Sequence, residues 1–65
     1  MDSKILALLS SKVEDKLTAL RDFISSGSCK DFAEYNHCAG QVRGLLAVQY
    51  EIDDLVQTLK EADYD

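Results

Sequence analysis

The second half of the chain carries an apolar row whose successive members are alternately four and three residues apart. Such heptad spacing aligns side chains along one stripe of an α-helix, and other helices must cover that stripe. A second apolar set widens the stripe beyond the narrow seam of a two-helix coiled coil. The sequence therefore predicts one long helix over about residues 29–62, with more apolar surface than a single neighbouring helix covers. Apart from the polar Gln49, the row is apolar throughout: Cys38, Val42, Leu45, Gln49, Ile52, Val56 and Leu59, with Phe32, Ala39, Leu46, Val48 and Leu55 as the second set.

A shorter helix is predicted over about residues 3–26. Apolar residues recur there at steps of three or four, which places them on one face of a helix. The chain contains no proline, and its Leu, Ala, Lys and Glu residues favour helix over strand. We therefore expect an all-α protein, an antiparallel hairpin of two helices. The apolar row of the first helix is Ile5, Leu9, Val13, Leu17, Leu20 and Ile24.

The turn between the two helices is predicted at residues 26–28. Gly27 is suited to the left-handed conformation that commonly ends a helix. Ser28 and Asp31 are spaced like the two members of a capping box, with Asp in place of the usual Glu or Gln. This pattern predicts that the second helix begins near Cys29.

The two predicted helices differ in length by about 16 Å at the rise of an α-helix. Folding the hairpin at its turn places Leu17 near Cys38 and Ile5 near Gln49. The end of the second helix then extends beyond the first, starting at Ile52. The residues that would form an exposed apolar stripe there are Ile52, Leu55, Val56 and Leu59.

A chain of 65 residues forms one domain, residues 1–65, and the core of so small a domain gives only marginal stability. Oligomerisation is one way in which small domains gain further stability. The simplest way to cover the overhanging stripe is a homodimer in which two hairpins form a four-helix bundle. We therefore expect the chain to associate with itself as a dimer or a higher oligomer.

Two glycines, Gly40 and Gly44, lie inside the predicted second helix, where each weakens a helix by about 0.5–1 kcal/mol relative to alanine. Together with Ala33, Ala47 and Ala39 they form a strip of small residues that allows another backbone to approach closely. A second interpretation is that Gly44 makes room for a bulky residue of the first helix, such as Leu9 or Val13. The sequence leaves both interpretations open.

Two further residues, Tyr35 and Arg43, are of types favoured at the centres of protein interfaces. They are candidates for contact with a partner. The alternative interpretation is that they belong to a solvated face on which Tyr35 is half-buried. Gln49 interrupts the apolar row, where a polar residue can fix register or oligomeric state. The alternative interpretation is that Gln49 is exposed beside the start of the first helix.

Catalysis and cofactor binding are disfavoured by the spacing of the reactive residues. Cys29, His37 and Cys38 have the side chains that zinc prefers, but neighbouring residues of a helix point about 100° apart and no fourth ligand is evident. The same geometry opposes a cysteine–histidine nucleophile pair. We expect no enzymatic activity, no metal and no cofactor, and cysteines that are reduced in a cytoplasm.

The negative charge of the chain is concentrated at its end. Residues 51–65 hold six acidic residues against Lys60 alone, which accounts for the whole net charge of −5. Direct binding to nucleic-acid phosphates is therefore disfavoured. The longest apolar runs are far shorter than the roughly 20 residues that cross a bilayer, so we expect no membrane association. A tail that keeps the protein soluble is one interpretation of the acidic end, and a basic protein partner is the other, with candidate residues Asp53, Asp54, Asp63 and Asp65.

The segment KDFAEYNHCAGQVRGLLAVQYEIDDLVQTLKE, residues 30–61, resembles a pattern in small helical proteins of tailed bacteriophages of the marine and cyanobacterial podovirus type. The pattern has an aspartate-aromatic start, a tyrosine, a glycine, an arginine–glycine pair and an acidic-leucine ending. The resemblance implies a phage origin, a helical hairpin, and a role in the virion or in the infected host. The positions that carry it are filled by Asp31, Phe32, Tyr35, Gly40, Arg43, Gly44, Ile52, Asp54 and Leu55.

Two functions of different classes fit these observations. In the first, the protein is a structural or assembly component of the virion that packs against itself and against a larger phage structural protein. In the second, it is a small inhibitor that binds a host enzyme or defence protein through the second helix and its acidic end. The expected location is the virion, the cytoplasm of the infected bacterium, or both.

Overall fold

The computed structural model describes residues 3–62, with side chains described over residues 4–61. It contains two helices, α1 (Ser3–Ser25) and α2 (Phe32–Ala62), which pack against each other as a hairpin. The described residues contain no strand. The prediction of an all-α helical hairpin is confirmed. The hairpin is elongated, with principal extents of 52 × 15 × 14 Å.

The end of α1 is a Schellman motif built around Gly27. Gly27 has a φ of 78°, in the left-handed region that side chains other than glycine's rarely occupy. Its N–H donates to the carbonyl of Ile24 at 3.2 Å, and the N–H of Ser28 donates to the carbonyl of Phe23 at 3.3 Å. This pair of hydrogen bonds satisfies two carbonyls that the end of a helix leaves free. The role predicted for Gly27 is confirmed.

The start of α2 lies at Phe32, three residues later than the predicted position near Cys29. Asp31 caps it, because its Oδ1 accepts a hydrogen bond from the N–H of Glu34 at 2.8 Å. The hydroxyl of Ser28, the cap predicted from the sequence, is instead hydrogen-bonded to the hydroxyl of Ser26 at 2.7 Å. The prediction of Ser28 as the cap was wrong. An aspartate at this position both accepts the N–H and places a negative charge at the positive end of the helix dipole.

The core of the hairpin lies along the seam between the helices. In α2, every member of the predicted row from Cys38 to Leu59 is buried or half-buried. In α1 the first part of the row was wrong: Leu6 is 2% exposed, whereas Ile5 is 59% and Leu9 is 44% exposed. The buried apolar side chains of the described part are Leu6, Val13, Leu17, Cys38 and Ile52.

A hydrogen bond between the helices explains this difference. The side-chain amide Nε2 of Gln49 donates to the hydroxyl of Ser10 at 2.8 Å. Ser10 lies between Leu6 and Val13 on the inner face of α1, the position that an apolar-only pattern assigns to Leu9. Gln49 is therefore inside the hairpin, and its partner lies five residues, or about 7.5 Å, further along α1 than the predicted neighbour Ile5.

The overhang at the end of α2 is shorter than predicted. With Ser10 opposite Gln49, Ser3 lies level with Val56, so α2 extends past α1 by about 9 Å instead of about 16 Å. Ile52 is 4% exposed, and it forms one core cluster with residues of α1, against which Val56 also packs. The prediction that the exposed stripe begins at Ile52 was wrong, because the longer loop carries Ile52 back into the seam.

Candidate interaction surfaces

A groove of about 560 Å³ runs along one side of the seam between α1 and α2. A residue one or two heptads before or after a lining residue lies on the same side of its helix. Such residues extend this surface along the hairpin. We call the extended surface the glycine face. Its groove is lined by Lys16, Ala19, Leu20, Gln41, Gly44, Leu45 and Val48, and its extension consists of Ile5, Leu9, Lys12 and Phe23 on α1 with Glu51 and Leu55 on α2.

Both helices supply exposed apolar side chains to the glycine face. On α1 these are Ile5, Leu9 and Phe23, and on α2 they are Val48 and Leu55, which are 47% and 49% exposed. Leu20 and Leu45, half-buried in the seam, line the groove between them. The glycine face is therefore an apolar surface two helices wide.

The glycines of α2 are not required by packing inside the hairpin. A Cβ placed on Gly40 or Gly44 meets nothing within 4 Å. The interpretation in which Gly44 makes room for Leu9 or Val13 was therefore wrong, since neither side chain approaches it. The space over Gly44 opens into the groove, where another backbone can approach.

The two edges of the glycine face carry opposite charges. Lys12 and Lys16 lie on the α1 side, and both are exposed. Glu51 lies on the α2 side, one heptad beyond Gly44, and it is also exposed. The face therefore has a basic edge and an acidic edge on either side of an apolar centre.

A second groove, of about 450 Å³, lies on the opposite side of the seam. Its α2 wall continues in heptad steps to Phe32, Leu46 and Tyr50, and the rings of Phe32 and Tyr35 stack with centroids 6.2 Å apart. The corresponding steps on α1 reach Glu14 and Thr18, which are polar. We call this surface the aromatic face. Its groove is lined by Arg21, Ile24, Ser25, Tyr35, Ala39, Val42 and Arg43.

The interface residues predicted from the sequence do not form one surface. Gly44 and Leu55 lie on the glycine face, with Gly40 half-buried one turn before Gly44. Tyr35 and Arg43 line the groove of the aromatic face. The remaining predicted residues are the core members Ile52 and Val56, the exposed Ala47, and Leu59, which is half-buried near the end of α2.

The sequence did not point to the α1 half of the glycine face. Ile5 and Leu9 were assigned to the core, and Phe23 was not assigned to any surface. The available signal was a row in α1 with steps of four and three through Ile5, Leu9, Lys12, Lys16, Ala19 and Phe23, which resembles an ordinary mixed surface until the register of the hairpin is known.

The predicted acidic partner-binding residues are only partly within the described chain. Asp53 and Asp54 are exposed on α2. Asp63 and Asp65 lie outside the described residues. Exposed carboxylates of this kind leave both a solubilising role and contact with a basic protein open.

The two cysteines lie close to each other near the start of α2 and are free thiols. Loss of solvation at the half-buried Cys29, together with the neighbouring thiol of Cys38, raises the pKa of Cys29 above its ordinary value. The thiol of Cys29 therefore stays protonated at neutral pH, which makes it a weak nucleophile. Within residues 3–62, no three His, Cys, Asp or Glu side chains are grouped so as to hold a metal ion.

Neither of the two described helices is both long enough and apolar enough to cross a membrane. Comparisons of the chain with protein-family models, with curated proteins and with solved structures found no match.

Proposed function

We propose that this chain is a non-enzymatic protein that acts by protein–protein interaction, as a structural or assembly component of a tailed-phage particle. The observation that carries the proposal is the set of large apolar side chains that the hairpin leaves exposed on both sides of the seam. The accessible surface is 5037 Å² for a chain of 7.2 kDa, whereas a compact monomer of that mass exposes about 4,100 Å². The difference of about 900 Å² reflects the elongated shape of the hairpin, which has too few layers to bury these side chains.

The location of these exposed side chains also supports the proposal. Large apolar side chains are exposed on both sides of the seam, among them Ile5, Val48 and Tyr50. Contiguous apolar surface of this kind marks sites of interaction on soluble proteins. The phage part of the proposal comes from the resemblance of residues 30–61 to small helical phage proteins, which implies a location in the virion, the infected cytoplasm, or both.

Particle composition tests this function directly. Virions would be purified through two independent density steps from a phage that encodes this chain, and the chain would be quantified by mass spectrometry against a capsid protein. The expected result is a fixed ratio that both purification steps preserve. Abundant protein in the infected lysate with none in the particles would contradict a role as a virion component.

The second candidate function is inhibition of a host enzyme or defence protein, and the exposure of Asp53 and Asp54 favours it. Immobilised protein would be used to capture partners from uninfected host lysate. This function predicts that changing Asp53, Asp54, Asp63 and Asp65 together to asparagine abolishes capture of a specific host protein. Glu14→Gln with Asp15→Asn, which neutralises two exposed acids on α1, is the control for charge and should leave capture intact. Loss of capture with the control variant as well would contradict a role for the acidic end.

A further inference from the structure

We propose that the glycine face is covered by a second copy of this chain, related to the first by a two-fold axis parallel to the helices. In this dimer α1 of each copy lies over α2 of the other. The inference rests on the proposed function, because it names the partner for one of the two exposed faces. The two-fold axis also determines which residues of the two copies contact each other.

The width of the glycine face indicates a partner that is itself a hairpin. Exposed apolar side chains lie on both α1 and α2, so a single added helix would leave one row uncovered. A second copy presents two helices with the same spacing. Its own glycine face has the same exposed apolar rows to cover.

The charges at the edges of the glycine face select the orientation. The basic edge, Lys12 and Lys16, is on α1, and the acidic edge, Glu51, is on α2. A two-fold axis parallel to the helices places the α1 row of each copy, which holds Lys12, over the α2 row of the other, which holds Glu51. Opposite charges therefore meet twice in the dimer, an arrangement that favours this orientation over others.

The other two-fold arrangement brings like charges together. An axis perpendicular to the helices would place α1 over α1 of the second copy. Because Glu14 is the midpoint of α1, full overlap would put Lys12 of each copy opposite Lys16 of the other. Like charges that face each other across an interface oppose association, so the parallel axis is the arrangement that the charges permit.

The register of the hairpin determines the contacts of the parallel arrangement. Ser10 lies opposite Gln49, so Ile5 is level with Asp54, and Lys12 is level with Ala47. A parallel axis preserves these levels between the copies. Ile5 therefore meets Leu55 of the second copy, and Lys12 lies about 6 Å along the helix axis from its Glu51.

The small residues meet at one point of this interface. At the same register Ala19 is level with Gly40 and lies within about one turn of Gly44. In the dimer, Gly44 of one copy therefore faces α1 of the other beside Lys16, about one turn from Ala19, and no Cβ on Gly44 intervenes. This approach gives the glycines of α2 a role that packing inside the hairpin does not provide.

Solution mass with a matched pair of variants tests the assignment of the face. Val48 and Leu46 are 47% and 43% exposed, two residues apart on α2, on the glycine face and the aromatic face respectively. Sedimentation equilibrium across a dilution series should give a dimer for the unchanged protein and for Leu46→Glu, and a monomer for Val48→Glu. Circular dichroism should show all three helical. A monomeric unchanged protein at about 100 µM, a concentration far above the dissociation constants of standard interfaces, would overturn the proposal, as would dissociation by Leu46→Glu alone.

A charge-reversal cycle tests the orientation. Lys12→Glu and Glu51→Lys should each raise the dimer dissociation constant about tenfold, because each places like charges together, and the double variant should return to within about threefold of the unchanged protein. A double variant no tighter than either single variant would overturn the parallel axis.

The particle experiment keeps the proposed function separate from this inference. Failure of the dimer tests with the chain present in virions would overturn only the second-copy assignment. A dimer with the predicted contacts that is absent from virions would leave the dimer intact and overturn the virion function.

Discussion

The two faces of the hairpin expose similar kinds of apolar side chain but differ in which helices supply them. The glycine face draws apolar residues from both α1 and α2, with an open groove between them. On the aromatic face the exposed large apolar side chains come from α2, and α1 contributes the half-buried Ile24 beside the polar Glu14 and Thr18. The exposure of single residues therefore does not distinguish the two faces, whereas continuity across the seam does. Only the glycine face offers a surface as wide as another hairpin.

The largest expected difference between the faces comes from placing charges in their apolar centres. Ile5→Glu with Leu9→Glu should raise the dimer dissociation constant by more than about a hundredfold, since buried unpaired carboxylates are strongly unfavourable at an interface. Sedimentation velocity over a concentration series measures this change. Phe32→Glu with Tyr50→Glu is the matched pair on the aromatic face and should leave the constant unchanged. Equal dissociation by both pairs would remove the distinction between the faces.

The second prediction concerns the hydrogen bond that decides which flank of α1 faces outward. Ser10→Ala leaves the buried amide of Gln49 without its partner, and it should lower the free energy of unfolding by about 1–3 kcal/mol. The double variant Ser10→Ala with Gln49→Leu should recover most of that loss, because it removes both polar groups. Urea unfolding in the monomeric Val48→Glu background measures both values. A double variant less stable than Ser10→Ala would contradict this role of the pair.

The oxygen of the Gln49 amide explains why the double variant should recover stability. Gln49 Oε1 is buried and has no hydrogen-bond partner among the described residues. An unsatisfied buried acceptor carries a desolvation penalty even while Nε2 is paired. Gln49 therefore fixes the register of the hairpin at some expense of stability, as polar residues do within heptad rows.

The third prediction separates the two energetic effects of Gly44. Gly44→Ala should stabilise the monomeric hairpin by about 0.5–1 kcal/mol, since alanine favours helix and its Cβ meets nothing within 4 Å. The same change should weaken the dimer, because the Cβ lies where α1 of the second copy approaches beside Lys16. Ala39→Gly on the aromatic face is the control, expected to destabilise the helix without changing the dimer. A Gly44→Ala protein with a tighter dimer would contradict close approach at this point.

The smallest expected effect is on the aromatic face. Phe32→Ala removes the stack with Tyr35, and the exposed pair should contribute only about 0.5 kcal/mol to the stability of the hairpin. Thermal unfolding followed by circular dichroism measures this change in the Val48→Glu background. In the protein that keeps Val48, Phe32→Ala should leave the dimer dissociation constant unchanged. A weaker dimer would place Phe32 in the interface.

Much of the fold was predictable from the chain because its strongest signals are local. The heptad row of α2 and the left-handed Gly27 each depend on residues within a few turns, and both predictions are confirmed. The start of α2 was less accurate because Ser28 and Asp31 both resemble helix caps. Only the geometry distinguishes them, since the hydroxyl of Ser28 bonds to Ser26 before the helix begins.

The candidate surface was much less predictable, because it depends on the register between the helices. An apolar-only pattern assigned Ile5 and Leu9 to the core and passed over Ser10. The hydrogen bond between Ser10 and Gln49, 39 positions apart in the chain, reverses that assignment and turns Ile5 and Leu9 outward. Periodicity within one helix contains no information about such a pair, so the α1 half of the glycine face became visible only in the folded hairpin.

Distances between copies show whether two copies of the chain cover each other's glycine faces. Equal amounts of carbon-13-labelled and unlabelled protein would be mixed, and isotope-filtered NOE spectra recorded on the methyl groups. The dimer with a parallel axis should give contacts from the methyl groups of Ile5 in one copy to those of Leu55 in the other, with none to Leu46. Intermolecular contacts at Leu46, or no intermolecular contacts at concentrations where the protein sediments as a dimer, would contradict it.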